Sequence, residues 1–140
     1  MTKADGRPSG GHANDVLVRA HALLTAWADL VREVEDEEGY SWCAPELSND
    51  LACRTGLAGV WRLLPSQVRA ARQPELDALD ARFRAATIPW PGREESTGQW
   101  WMRRIPRVLD VEPGLPRHNG WPLGWEAMPF PEPDSVEVVG

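Results

Sequence analysis

The stretch NDVLVRAHALLTAWADLVREVEDEE, residues 14–38, decides the fold. Its apolar side chains fall at Val16, Ala20, Leu23, Trp27, Leu30 and Val34, alternating steps of four and three. That is the 3.6-residue period of an amphipathic helix, and Leu17, Leu24 and Val31 widen the stripe. Asn14 suits the N-cap and Asp15 the positive end of the helix. Gly39 supplies a C′ stop, because glycine takes the left-handed conformation there without a Cβ penalty.

Downstream, the same period recurs twice. Residues 44–64 read as a second helix, with Pro45 in its first turn and Leu47, Leu51, Ala58 and Trp61 on one face. Gly56 and Gly59 each cost about 1 kcal/mol in a helix interior relative to alanine, which leaves room for a break near them. Pro65 ends this element. Residues 66–86 read as a short helix capped by Ser66 and a longer one opened by Pro74. Leu76, Leu79, Phe83 and Ala86 form the buried face of the longer one, with Asp80 and Arg84 as an i,i+4 pair.

The composition changes near Thr87. Nine of the 13 prolines and five of the eight tryptophans lie beyond it, so regular structure is expected to be sparse there. A helical turn or two is expected within 96–105, capped by Ser96 or Thr97. Trp121, Trp125, Met128 and Phe130 are too apolar for a free tail and are expected to lie across the helices. The reading is a mainly α fold: a small three- to four-helix bundle with a Pro/Trp-rich irregular C-terminal extension wrapped over it. Residues 1–13 form a disordered tail, 14–132 a single α-helical domain (helices in 14–87, wrap in 88–132), and 133–140 a frayed C-terminus. The first helix packs antiparallel to the second because their link is short.

Bulk properties exclude several function classes. The 140 residues are 42% hydrophobic and 26% charged, the balance of a globular chain. No apolar run approaches the roughly 20 residues of a membrane span, and the N-terminus lacks the apolar core of a secretion signal. A cytoplasmic location with no membrane contact is expected. The net charge of −6 opposes duplex nucleic acid and favours a basic partner. Cys43 and Cys53 are too few for a disulfide framework and read as reduced thiols. His12, His21 and His118 stand at no metal-ligand spacing, so neither a metal nor a cofactor is expected.

Three clusters could carry function. Glu33, Glu35, Asp36, Glu37 and Glu38 place five carboxylates in six positions. They sit at the helix end whose dipole repels them, which points either to a docking surface for a basic partner or to a solvated helix end. Tyr40 and Trp42 follow, as contact residues or as a seal between the helices, with Trp42 the better seal. Trp100, Trp101, Arg103, Arg104 and Arg107 combine aromatic and cationic groups. Adjacent tryptophans lie about 100° apart on a helix, so one can anchor in the core while the other faces a partner. Asn49, Asp50 and Arg54 form a polar group on the second helix, with Asp50 and Arg54 paired at i,i+4. His21, between Leu17 and Leu24, reads as half-buried.

Three functions follow from these clusters. The leading one is a small acidic protein-interaction module, of the kind that inhibits a partner as immunity proteins and antitoxins do. Charge in the acidic run would steer binding, and Tyr40, Trp100, Trp101, Arg103 and Arg104 would anchor it. The alternative is a small-molecule-binding protein or enzyme with a tryptophan-lined pocket between the helices and Asp50, Arg54 and His21 as its polar groups. The weakest is nucleic-acid binding through the Arg/Trp cluster, or a helix-turn-helix over 47–72 read by Gln67, Arg69 and Arg72.

Overall fold

The computed structural model describes residues 10–40, 44–89, 99–110, 117–118, 121–122 and 137–139. Three helices dominate: α1 (Gly10–Glu35), α2 (Ala44–Trp61) and α3 (Ser66–Ala86). Among the described residues six short strands follow: β1 (Thr87–Pro89), β2 (Arg104–Pro106), β3 (Val108–Asp110), β4 (Arg117–His118), β5 (Trp121–Pro122) and β6 (Glu137–Val139). A 3-10 helix, Trp100–Arg103, precedes β2. Residues 1–9, Trp42, the caps Ser96 and Thr97, and the apolar Trp125, Met128 and Phe130 lie outside the described residues.

The periodic stripe of α1 becomes the core. Ala20, Leu24, Trp27, Leu30, Val31 and Val34 are buried, and Val16 and Leu23 pack against them half-covered. Leu17 stays partly exposed at one margin. The helix starts at Gly10, four residues before the expected cap, so Asn14 is an exposed residue inside α1. It also ends earlier, at Glu35. Gly39 does not close the helix but turns the chain beyond it, with φ +101°.

The helices alternate in direction. Tyr40, just after α1, meets Asp50 near the start of α2, while Leu23 lies beside Gly56, so α1 and α2 run antiparallel. Trp27 and Glu35 of α1 meet Asp80 and Arg82 of α3, and Leu17 and Ala20 share a depression with Val68. Helices α1 and α3 are therefore parallel.

The expected division of 66–86 into two helices is not there, nor is the break that Gly56 and Gly59 left room for. Helix α2 runs through Gly56 and Gly59, and α3 runs through Pro74 as one helix, not two. Pro74 removes one N–H from the α3 ladder, but both Pro74 and Ala70, whose carbonyl loses that donor, are exposed, and water can satisfy it. Nor does Ser66 cap α3; Pro65 takes that position without a side-chain hydrogen bond. The Trp61 indole N–H donates to Gln73 Oε1 at 2.8 Å and so ties the end of α2 to α3.

Beyond α3 the described residues form short strand pairs. Strands β1 and β2 pair antiparallel, Ile88 opposite Ile105; β3 and β6 pair parallel; β4 and β5 pair antiparallel. Tyr40 joins the edge of β3, its N–H donating to the Val108 carbonyl and its own carbonyl accepting from the Asp110 N–H, each at 2.9 Å. A Cβ on Gly39 would lie 2.8 Å from the Asp110 nitrogen. Glycine is required there by both its φ and this close approach.

Candidate functional site

The acidic run forms an exposed turn at the end of α1. Glu33, Glu35, Asp36, Glu37 and Glu38 all face solvent. Glu35 accepts two hydrogen bonds from Arg82 of α3, at 2.9 and 2.6 Å, and these bonds hold its carboxyl below its ordinary range. Asp36 fixes the turn itself. One of its carboxylate oxygens accepts from the Glu38 N–H at 2.9 Å, and its carbonyl accepts from the Gly39 N–H at 2.9 Å. The next residue, Tyr40, is locked into the β3 edge. The acidic turn is thereby anchored on α1 at one side and on the sheet at the other. It borders an open cleft of about 430 Å³ that also carries Arg82 and Arg107.

Tyr40 is not a surface residue. It is 1% exposed, and its hydroxyl donates to Asp50 Oδ2 at 3.1 Å. Burial raises its pKa, and the neighbouring Asp50 carboxylate adds to the rise. Backbone pairing with β3 draws the ring inward, a signal absent from local sequence.

The expected Asp50–Arg54 pair does not form. Arg54 is buried and reaches Asp80 of α3, Nε to Oδ1 at 3.0 Å and Nη2 to Oδ2 at 2.9 Å. The Trp27 indole N–H donates to the same Oδ1 at 3.1 Å. The guanidinium carbon lies 4.3 Å from the centre of the Trp101 ring and 5.8 Å from that of Trp27. Both distances are within cation–π range. Its Nη1 is buried without a hydrogen bond. With Asp80 engaged in this way, the expected Asp80–Arg84 pair is also absent. Arg84 instead covers Trp100, its guanidinium carbon 3.8 Å from the ring centre.

The Arg/Trp cluster is thus mostly internal. Trp101 is buried and donates its indole N–H to Thr55 Oγ1 at 3.0 Å. Trp100 is half-buried, set edge-on to Trp101 with ring centres 5.7 Å apart. Arg103 is half-buried. Arg104 is 8% exposed, and its Nη2 donates to the carbonyls of Arg84 and Thr87 at 3.2 and 3.1 Å. Those carbonyls close the C-terminal end of α3, where a cation is electrostatically favoured. Of this cluster only Arg107 is fully exposed.

The polar pocket group does not converge either. Asp50 faces Tyr40, Arg54 faces Asp80, and His21 is exposed on α1, not half-buried. Cys53, next to Arg54, is half-buried, and burial pushes its thiol up to about 11. Among the described residues no three His, Cys, Asp or Glu side chains group to hold a metal ion, and no helix is long and apolar enough to cross a membrane.

A second surface feature was missed by the sequence reading. A groove of about 460 Å³ lies between the N-terminal half of α1 and the C-terminal half of α2. Gly56 and Gly59, the residues of α2 with the lowest helix propensity, line it with Val60 and Leu63. Their spacing of three places both on one helix face, which was the available signal.

No family model, curated protein or solved structure matches this chain.

Proposed function

We propose that this protein is a small interaction module whose acidic turn docks on a basic surface of a partner protein and blocks it, in the manner of an immunity protein or an antitoxin. The observation that carries this reading is the pinned geometry of the turn. Glu37 and Glu38 are exposed between a helix end and a strand edge, with Asp36 bonded into the backbone of the turn itself. Holding the backbone of the turn fixed before binding lowers the ordering cost of association, and the charge of its carboxylates speeds encounter with a cationic partner. Trp101, Arg54 and Arg104, which could have supplied other chemistry, are committed to packing.

The test uses the full chain, with its binding partner isolated by affinity capture from the native host. Glu37→Lys/Glu38→Lys leaves the Glu35–Arg82 pair and the Asp36 turn intact. It is expected to slow association about tenfold or more at low salt and to flatten the salt dependence, with an unchanged melting temperature. An association rate equal to that of the parent protein at low salt would show the turn to be merely solvated.

A further inference from the structure

The groove between α1 and α2 is built for close approach. A Cβ on Gly56 would make only ordinary contact, 3.4 Å from Leu23 Cδ1. Gly59 lacks even that neighbour: among the described residues a Cβ built on it meets nothing within 4 Å. A helix that gives up propensity at such a position leaves its backbone open to something outside the fold. Leu63 stands at the rim, 67% exposed, and Val18 on the outer side of α1 is 60% exposed. Asp15 and Arg19, one turn apart on α1, line the same groove with opposite charges.

We propose that two copies of this chain associate through this groove about a two-fold axis. A two-fold interface presents the same patch on both subunits, so the patch must complement itself. The groove meets that condition. Where two α1 helices cross antiparallel, position 15 of each copy lies opposite position 19 of the other, and carboxylate meets guanidinium twice. The glycine floor of each copy receives an exposed apolar side chain of the other, for which Leu63 is placed. The rim is locally neutral although the chain carries −6, so the two copies match at contact and repel only at long range. This face lies about 30 Å along α1 from the acidic turn, at 1.5 Å per residue, so the dimer displays two acidic turns and stands independently of what they bind.

Sedimentation equilibrium of the full chain, from micromolar to submillimolar concentration, tests this directly. The parent protein is expected to dimerise. Gly59→Arg, placed where the described residues leave open space, is expected to make it monomeric, with the far-ultraviolet circular dichroism unchanged and a melting temperature equal to that of the parent at concentrations too low for the dimer. Asp15→Arg and Arg19→Asp are each expected to weaken the dimer about tenfold or more, and the double exchange to restore it, because the pairs re-form with reversed polarity. A monomer throughout the concentration range overturns the proposal. So does a dimer that survives Gly59→Arg, or a double exchange no tighter than either single one.

Discussion

Arg54 and Asp80 join α2 to α3 through two parallel hydrogen bonds, and the same Asp80 carboxylate also accepts the indole N–H of Trp27 on α1. One carboxylate therefore ties all three helices. The Arg54 side chain is 8% exposed and that of Asp80 is 19%, so water can do little to replace either member of the pair.

Removing Asp80 should leave a buried guanidinium without its counter-charge. Such losses cost about 3–5 kcal/mol. Asp80→Ala is expected to fall near the lower end, since Asp80 keeps some solvent contact, as read by urea unfolding at neutral pH. The exposed Glu35–Arg82 pair sets the comparison: Glu35→Gln should cost under about 1 kcal/mol. Equal losses in the two variants would contradict the picture of Asp80 as the tie between helices.

The two glycines Gly39 and Gly59 should respond in opposite directions to alanine. Gly39 holds φ +101°, and an added Cβ would press on the Asp110 backbone. Gly39→Ala is expected to destabilise by about 1–3 kcal/mol, the usual range for a strained residue. Gly59→Ala adds helix propensity in open space and is expected to stabilise by about 0.5–1 kcal/mol. Thermal melts of both variants at a concentration too low for self-association decide the matter, and a destabilising Gly59→Ala would show that Gly59 is covered within the monomer.

Tyr40 should make stability sensitive to alkali. Its folded pKa is raised above the ordinary 10.0, so the neutral phenol is favoured in the fold. That contribution is complete below pH 10 and is lost as pH rises beyond it, because the unfolded tyrosine ionises first. Tyr40→Phe should cost about 1 kcal/mol at neutral pH through loss of the bond to Asp50. It should also reduce the fall in stability above pH 10. An unchanged alkaline limb in pH-dependent denaturation would show Tyr40 to be solvated.

Cys53 should be a slow thiol. With its pKa at about 11, the reactive thiolate is a minor species at pH 8 in the folded protein. Alkylation followed peptide by peptide, which separates Cys53 from Cys43, is expected to be slow until denaturant is added. Equal rates in folded and unfolded protein would place Cys53 at the surface.

What was legible in the sequence is what local periodicity carries. The spacing of Ala20, Trp27, Leu30 and Val34 already specifies which face of α1 is buried, because a 3.6-residue repeat admits one apolar side. The three helical segments, the exposed acidic run and a turn at Gly39 follow from comparably local signals. Helix ends do not, since capping positions compete within a few residues, and α1 begins at Gly10 despite a good cap at Asn14. Nor is the continuity of α3 through Pro74 local, because it depends on which side of the helix meets water.

Only the tertiary structure decided the choice among charged neighbours. Asp50 and Asp80 could each have taken the i,i+4 arginine beside it, Arg54 and Arg84. Burial of Arg54 between Trp27 and Trp101 settled it, for a guanidinium out of water needs a full carboxylate within reach, and α3 brings Asp80 there. Asp50 is left to Tyr40, and Arg84 to the face of Trp100. Spacing along a chain proposes which charges can meet, and desolvation in the packed bundle selects which of them do.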